Sequence, residues 1–228
     1  MRIKAVGDRA VLVELGDSIN ESVNRKVMEF NKKVLSSEME GILETVPAFC
    51  SLLVYYDPMV TDYDAVFHYI SNLSFSGSEN REQSGALVEI PVCYGGSFGP
   101  DLSFVAEHAG LKEEEVIRIH SGRDYRIYML GFLPGFPYLG GMDERIATPR
   151  LNVPRTLIPA GSVGIGGEQT GIYPMDSPGG WQLIGRTPFC LFDPENGQKR
   201  LYEAGDTIRF VPISLREFDE IRRTQEMR

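Results

Sequence analysis

The sequence is poor in cysteine, in basic relative to acidic residues, and in long apolar runs. Its three cysteines, Cys50, Cys93 and Cys190, are too few and too far apart to predict a disulfide framework or a zinc site. Lys and Arg number 23 against 32 Asp and Glu, a net charge of -9, which argues against binding to nucleic-acid phosphates. No stretch reaches the roughly 18 apolar residues of a membrane span, and the first residues lack a signal peptide's apolar core. We therefore expect a cytoplasmic protein.

The first 84 residues have the pattern of a small α+β domain. Apolar residues at helical spacing predict one helix that starts after Ser18, in a capping box, and a second one capped by Thr61. Apolar β-branched runs predict three strands, at Arg9–Leu15, Ile42–Val46 and Ser51–Tyr56. Two helices on one small sheet predict an α+β domain, and we expect it to be ferredoxin-like.

Residues 74–84 are rich in Ser, Glu and Gly and carry no periodicity, which predicts a linker between two domains, 1–84 and 85–228. Residues 131–188 hold 12 of the 24 glycines and 8 of the 14 prolines, which excludes a long helix there. Short apolar runs between such turns predict a closed or nearly closed, mostly-β barrel. Its predicted elements are strands at Ala86–Tyr94, Ser162–Ile165, Thr170–Tyr173, Trp181–Arg186, Phe189–Phe192 and Ile208–Val211, and a last helix from Ser214 to about Arg223.

One segment of the predicted barrel imitates a phosphate-binding loop. Gly180–Thr187 has the spacing G-x-x-x-x-G-K-[ST], but Arg186 stands in place of the lysine. Pro188 blocks the helix whose N-terminus would hold the phosphate. A strand with glycines at its turns is therefore favoured over a nucleotide site.

Two further segments resemble known motifs. Gly95–Gly99 matches the nucleophile elbow G-x-S-x-G, although Pro100 and Asp101 favour an ordinary helix start after a flexible turn. Asp101–His120 resembles a helix-turn-helix, yet its second helix begins with three consecutive glutamates, which would repel DNA phosphates. We expect a helical hairpin packed on the barrel.

Three arginines recur at five-residue intervals: Arg145, Arg150 and Arg155. In an acidic chain, guanidinium groups without intervening acids indicate a place for a carboxylate or a phosphate. The alternative is that they form ion pairs with acids of the same surface. Sequence reasoning leaves both interpretations open.

Other polar side chains of the region suggest a small-ligand cleft. Gln169, Tyr173 and Trp181 lie on predicted β corners, where aromatic rings and an amide would form its wall, although core packing is favoured for Trp181. His120 ends an apolar helical stripe, where a histidine either stabilises the helix C-terminus or lines a site.

The same stretches resemble the family called allophanate hydrolase subunit 1. The resemblance covers nearly the whole chain and is most specific in four long motifs. They are residues 125–141 (YRIYMLGFLPGFPYLGG), 147–150 (ATPR), 163–174 (VGIGGEQTGIYP) and 177–187 (SPGGWQLIGRT). Two shorter ones, residues 7–10 (GDRA) and 90–96 (IPVCYGG), also fit.

The resemblance implies a small N-terminal domain, a cyclophilin-like C-terminal barrel and a partner chain. Members of the family include the B subunit of ATP-dependent 5-oxoprolinase, which acts with the A and C subunits of that enzyme to hydrolyse 5-oxo-L-proline to L-glutamate. The C subunit belongs to the allophanate hydrolase subunit 2 family. Other members inhibit a sporulation histidine kinase or form half of a urea-carboxylase-type carboxyltransferase.

The enzymatic interpretation implies an ATP-consuming complex in which this chain alone is inactive and the ATP site is not located in it. Residue chemistry then makes Arg150 and Arg155 candidates for binding an anionic substrate. His120, Gln169 and Tyr173 are the candidates for orientation or proton transfer. No metal ligand set is predicted.

Overall fold

The computed structural model describes residues 1–36, 39–73, 85–193 and 199–226. Contacts within the chain divide it into two units, Met1–Gln83 and Ser84–Arg228. The predicted linker, residues 74–84, lies outside the described residues. None of the helices in the described ranges has the length and apolar character to cross a membrane.

The first unit is an antiparallel sheet with two helices. Its strands are β1 (Arg2–Val6), β2 (Ala10–Glu14), β3 (Ile42–Pro47) and β4 (Ser51–Tyr56), in the order β1-β2-β4-β3. The helices are α1 (Glu21–Leu35) and α2 (Tyr63–Asn72). Alternation along β4 buries Leu52, Val54 and Tyr56 on one face, where the α1 residues Val27, Phe30 and Val34 complete the core. The predicted helical spacing of apolar residues is confirmed by these α1 residues and, in α2, by the buried Val66 and Ile70.

The ferredoxin-like order of this unit is not confirmed. A ferredoxin-like domain runs βαββαβ, whereas this unit runs ββαββα. The additional strand is β1, whose residues pair with β2 along its whole length. Four of its five residues are exposed, so no apolar run marks it in the sequence.

The helix starts of the first unit differ from those predicted. Asn20, not Ser18, caps α1, and its side chain accepts from the backbone N–H of Val23 at 3.0 Å. Asp62, not Thr61, caps α2. In both helices the residue adjacent to the first turn offers the better-placed oxygen, so the composition signal was right and its position was wrong.

A closed barrel of seven strands dominates the second unit, which confirms the predicted barrel. Going around the barrel, the strands are β10 (Gln169–Ile172), β7 (Pro137–Leu139), β6 (Asp124–Leu130), β15 (Thr207–Pro212), β5 (Leu87–Tyr94), β12 (Gln182–Arg186) and β9 (Ser162–Gly166). Strands β15 and β5 are parallel, and the other neighbours are antiparallel. The predicted strand at Phe189–Phe192 is wrong, since only Phe192–Asp193 pairs there.

Shorter elements surround the barrel. They are a 3₁₀ helix (Glu144–Ile146) and strands β8 (Arg155–Ile158), β11 (Ser177–Gly179), β13 (Phe192–Asp193) and β14 (Lys199–Arg200). Strand β8 pairs with β11, and β13 pairs with β14. The predicted last helix is α5 (Leu215–Glu226), which contacts β5.

The predicted helical hairpin is confirmed. Helices α3 (Leu102–Ala109) and α4 (Glu113–Ser121) contact each other, and they lie on β12 and β15 of the barrel. Gly110 ends α3 in the left-handed conformation, with φ 65°, which a residue without Cβ adopts at little cost. The hairpin therefore covers the barrel wall.

Candidate functional site

His120 lies in the core of the second unit, near the end of α4. Its Nδ1 is 2.8 Å from the Tyr94 hydroxyl, and its Nε2 is 2.8 Å from Oγ1 of Thr170. Thr170 donates its own hydroxyl proton to the carbonyl of Gly164. Its oxygen therefore accepts from Nε2–H of His120, which leaves Nδ1 to accept from Tyr94.

This hydrogen-bonded chain fixes a neutral imidazole. His120 is fully buried, and the ring lies 4.5 Å from the ring of Phe210. Burial without a carboxylate partner disfavours the charged ring and lowers the pKa of His120 to about 3. The arrangement supports fixed orientation of β5, α4 and β10, to which the bonded side chains belong.

A nucleophile elbow at residues 95–99 would need a histidine as its base, and in this arrangement His120 cannot take that role. Ser97 is exposed in the turn after β5, and the turn is closed by a bond from the Phe98 N–H to the Gly95 carbonyl. Both ring nitrogens of His120 are already bonded to Tyr94 and Thr170. The preferred interpretation as a turn agrees with this geometry.

The three arginines of the five-residue series lie in different environments. Arg145 makes two bonds to Asp143, from Nε at 2.9 Å and from a terminal nitrogen at 2.8 Å. That bidentate pair holds the pKa of Asp143 well below its usual range. Arg145 is thus a surface ion pair of the kind that was the alternative for all three.

Arg155 is held by Asp101. A terminal nitrogen lies 2.7 Å from Oδ1 of Asp101, and the other donates to the backbone carbonyl of Trp181 at 3.4 Å. The second carboxylate oxygen of Asp101 accepts from the N–H of Leu183 at 2.6 Å. Asp101 was predicted as part of an ordinary helix start, but its side chain makes no bond to α3. Instead it joins Arg155 to strand β12.

Arg150 lies over the ring of Trp181. Its guanidinium carbon is 5.7 Å from the ring centroid, a cation–π distance. Arg150 is exposed, and within the described ranges it makes no ion pair or hydrogen bond. Its donors are therefore directed to solvent while the ring positions the group.

Buried aromatic rings support these guanidiniums from below. Phe136 contacts Tyr138, Tyr173 and Trp181 edge to face, at centroid distances of 5.2, 5.3 and 5.5 Å. Trp181 packs closely over Gly166, where an added Cβ would lie 2.5 Å from the indole nitrogen. We call Arg150, Arg155, Tyr173, Trp181 and Phe136 the guanidinium–aromatic cluster.

Tyr173 is the titratable group of this cluster. Burial raises its pKa to about 12, while the charge of Arg150 and a backbone hydrogen bond from Trp181 act in the opposite direction. The phenol is therefore protonated near neutral pH and can donate a hydrogen bond. Among the predicted site residues, the structure thus joins Arg150, Arg155 and Tyr173 through Trp181.

Gln169 and His120 are not joined to the cluster by a hydrogen bond or ring contact in the described part of the chain. Gln169 is half-buried at the start of β10, opposite Gly166 of β9. Its neighbour Thr170 turns to His120 instead. The predicted roles of Gln169 and His120 in chemistry stay predictions.

A strained turn lies beside the cluster. The N–H of Leu133 bonds to the carbonyl of Gly131 at 2.8 Å, which closes a three-residue turn around Phe132. Phe132 has φ 66°, a conformation that costs a non-glycine residue about 1–3 kcal/mol. Its ring is 63% exposed and meets Phe136 edge to face at 5.7 Å. The turn presents an aromatic ring next to the cluster.

Sequence reasoning missed Asp101, Tyr94, Thr170 and Phe136. Tyr94 and Thr170 stood inside predicted strands and gave no separate signal. Asp101 gave a signal of the wrong kind, because an acid before an apolar run indicates a cap. The aromatic density of residues 128–138 indicated Phe136 as part of a group but not its partners.

Comparison with known proteins agrees with the resemblance in the sequence. The chain is similar to the 5-oxoprolinase B subunit of Bacillus subtilis (strain 168), with 45% identity over 227 residues that cover 95% of each chain. It is 42% identical over 212 residues to the protein of that name from Escherichia coli O157:H7, covering 92% of this chain and 95% of the other.

A solved structure and a family model point the same way. The crystal structure of a conserved uncharacterized protein from Pyrococcus horikoshii is 50% identical, with a TM-score of 0.57, and the match covers 95% of this chain and 100% of that one. The family model described as carboxyltransferase domain, subdomain C and D, matches residues 1–202. The chain therefore belongs to the family of carboxyltransferase-domain subdomains C and D.

Proposed function

We propose that this chain is the B subunit of an ATP-dependent 5-oxoprolinase and that its barrel is cyclophilin-like. The observation that carries the proposal is the match with the Bacillus subtilis protein, 45% identical over 95% of both chains. Because the match covers nearly all of both proteins, the function named for that relative would apply to this chain over the same residues. The complex would be cytoplasmic and would open 5-oxo-L-proline to L-glutamate.

The guanidinium–aromatic cluster supports this reaction. A lactam is a weak electrophile, so phosphorylation of its oxygen by ATP would precede the attack of water and the cleavage of the C–N bond. Negative charge accumulates on oxygen during these steps, and fixed guanidinium donors stabilise it. Arg150 would bind the substrate anion, because its donors are unpaired within the described ranges.

The other candidates take supporting roles in this proposal. Arg155 would position the site, since Asp101 fixes its direction. Tyr173 would donate a hydrogen bond, because its raised pKa keeps the phenol protonated. Gln169 would orient the substrate. His120 would stabilise the barrel wall, since both nitrogens of its neutral ring are bonded to protein oxygens.

Two partner proteins complete the proposed enzyme. The A and C subunits would supply the remaining machinery, including the ATP site. The segment of this chain that imitates a phosphate-binding loop does not have that structure, which supports placing the ATP site in a partner subunit. Gln182–Arg186 is strand β12, paired with β9 and β5, and not a loop before a helix.

Reconstitution tests the proposal. The purified chain is assayed for L-glutamate formation from 5-oxo-L-proline and ATP, first alone and then with the A and C subunits from the same source. We expect turnover only in the complete mixture. Turnover by the lone chain, or a mixture of the two partners whose rate does not depend on this chain, would contradict it.

The family description favours one alternative, half of a carboxyltransferase of the urea carboxylase type. A carboxyltransferase moves a carboxyl group from a carboxylated carrier such as biotin to its acceptor and does not itself consume ATP. This alternative therefore predicts that the chain, with its partner half, carboxylates urea from such a carrier. The first function predicts L-glutamate formation from 5-oxo-L-proline, so the product formed separates the two.

A further inference from the structure

A cavity lies between the end of β12 and helix α5. It has a volume of about 440 Å³, within the range of small-molecule sites. Its walls include Arg186, Phe189, Phe218 and Arg222. None of its lining residues belongs to the guanidinium–aromatic cluster.

Two guanidinium groups face this cavity from different elements. Arg186 ends strand β12, and Arg222 lies on α5. Burial lowers the pKa of Arg186, the Asp176 carboxylate raises it, and the positive charge of Arg222 lowers it. The two cations therefore lie near each other in the cavity lining, and an anion between them would be attracted to both.

One hydrogen bond fixes the direction of the Arg186 side chain, and its terminal N–H donors stay available. Its Nε donates to the carbonyl of Ala160 at 2.8 Å. In the part of the chain that the structure describes, its two terminal nitrogens have no acceptor. The one carboxylate near it, Asp176, accepts from the N–H of Ala160 at 2.7 Å. A half-buried guanidinium aimed into a cavity with free donors suits an oxyanion.

Apolar residues form much of the remaining wall, beside Thr187, Cys190 and Gln225. Phe218 is buried and stacks on Phe98 at 4.4 Å, which fixes that side. Pro188 and Phe189 form another side. A bare inorganic anion leaves such walls unfilled, whereas a carboxylate attached to a compact apolar body contacts both the cations and the rings.

We propose that this cavity binds a small organic carboxylate with a compact apolar body. The site rests on the cavity and its two arginines, and only the choice of 5-oxo-L-proline as probe rests on the proposed function. 2-Pyrrolidinone is the matched control ligand, because it has the same lactam ring without the carboxylate. Inorganic phosphate tests whether an oxyanion alone is sufficient.

Calorimetric titration of the purified full chain at low salt tests the proposal. We expect 5-oxo-L-proline to bind and both 2-pyrrolidinone and phosphate to bind at least about tenfold more weakly, since each lacks one of the two contacts. Arg222→Gln should weaken binding of 5-oxo-L-proline at least about tenfold, because one charge-assisted contact is lost. Arg222→Lys should retain part of the affinity.

A matched variant separates this site from its surroundings. Arg223→Gln removes the same charge from the adjacent position of α5, which does not line the cavity. It should bind 5-oxo-L-proline like the unmodified chain. Equal binding of 2-pyrrolidinone or phosphate, unchanged affinity in Arg222→Gln, or equal losses in Arg222→Gln and Arg223→Gln would overturn the proposal. So would the absence of binding.

The reconstitution assay is independent of this result. A complex that turns over 5-oxo-L-proline, built on a chain that binds no carboxylate in the cavity, removes the cavity site and leaves the proposed function. Carboxylate binding by a chain that supports no turnover in the complete mixture does the reverse.

Discussion

Two polar groups of the second unit differ in how completely the protein satisfies them. In the chain Tyr94–His120–Thr170, both ring nitrogens of a fully buried histidine are bonded to protein oxygens. In the guanidinium–aromatic cluster, Arg155 is paired with Asp101, while Arg150 lies over Trp181 with its donors toward solvent. The first group is closed and the second is open.

This difference separates side chains that hold the fold together from side chains that can bind a ligand. A closed hydrogen-bonded chain has no capacity left for a ligand, and its removal costs stability. An open donor set held by rigid rings has its direction fixed before a ligand arrives, which is what stabilisation of developing charge needs. Judged by its ability to titrate, His120 would be the first candidate for a functional residue. Judged by the contacts that each side chain makes, Arg150 is the first candidate.

The largest expected effect is on stability and comes from removing Asp101, the acid that holds Arg155 in the cluster. Asp101→Ala removes the partner of Arg155 and leaves the N–H of Leu183 without its acceptor. We expect a loss of about 3 kcal/mol in the free energy of unfolding, from one charge-assisted bond and one unsatisfied amide. Urea denaturation measures it.

An exposed ion pair provides the control for that variant. Glu220→Ala breaks the pair between Glu220 and Arg216 on the surface of α5, for which we expect no more than about 0.5 kcal/mol. If Asp101→Ala costs no more than Glu220→Ala, Asp101 does not hold the cluster.

The next effect is on turnover. Arg150→Lys keeps the charge and loses the planar fork, so it should lower the rate of the assembled complex by about tenfold to a hundredfold, the equivalent of about 1.5–3 kcal/mol. Stability should change by less than about 1 kcal/mol, because the contact with Trp181 is an exposed cation–π pair. Steady-state kinetics beside thermal melts separates the two quantities.

Two arginines calibrate this result. Arg145→Lys removes a guanidinium already bonded to Asp143 and should leave turnover near that of the unmodified complex. Arg155→Lys should impair turnover, because Lys cannot keep the contacts to both Asp101 and the Trp181 carbonyl. Full activity of Arg150→Lys in a normally assembled complex would remove Arg150 from the site.

The sole tryptophan offers a second measurement. Trp181 is the only one in the chain, so its fluorescence reports on the cluster directly. A ligand that binds Arg150 should change the emission of the unmodified chain and have less effect on Arg150→Lys. The cavity at Arg222 does not include Trp181 among its lining residues.

Much of the fold was readable because apolar runs mark buried strands. Strands β5, β9, β10, β12 and β15 were predicted to within a few residues. Strand β1 was missed because it is mostly exposed. Strand β7 was missed because it is short and lies among glycine and proline residues that resemble a turn. Strand β6 was overlooked, although buried Tyr125 and Ile127 alternate there with polar residues as in a half-buried strand.

The site was only partly readable because its partners are distant in sequence. Guanidinium spacing indicated Arg150 and Arg155, but Asp101 lies 54 residues before Arg155. Similarly, Tyr94 precedes His120 by 26 residues and Thr170 follows it by 50. Of the three arginines, Arg145 has its acid two residues away in sequence, whereas the choice between ion pair and ligand site for Arg150 and Arg155 needed the fold.

The smallest expected effect concerns the closed chain and appears as a dependence of stability on pH. The pKa of His120 is about 3 in the folded protein, against about 6.5 for an unperturbed histidine. Between these values the unfolded state binds more protons than the folded state, so the contribution is fully present above the unfolded pKa and is lost as pH falls. From pH 7 to pH 5 the loss is about 2 kcal/mol.

Comparing variants isolates this contribution from that of the carboxylates. His120→Gln lacks the titration, so its free energy of unfolding should fall by about 2 kcal/mol less over that interval, although it starts lower at pH 7 because Tyr94 loses its acceptor. His108→Gln, at an exposed position of α3, should keep the full pH dependence. Denaturant titrations at pH 7, 6 and 5 measure all three proteins. Parallel curves for the unmodified chain and His120→Gln would mean that His120 is charged in the folded state. The closed chain would then be open to proton exchange, and His120 would return as a candidate for proton transfer.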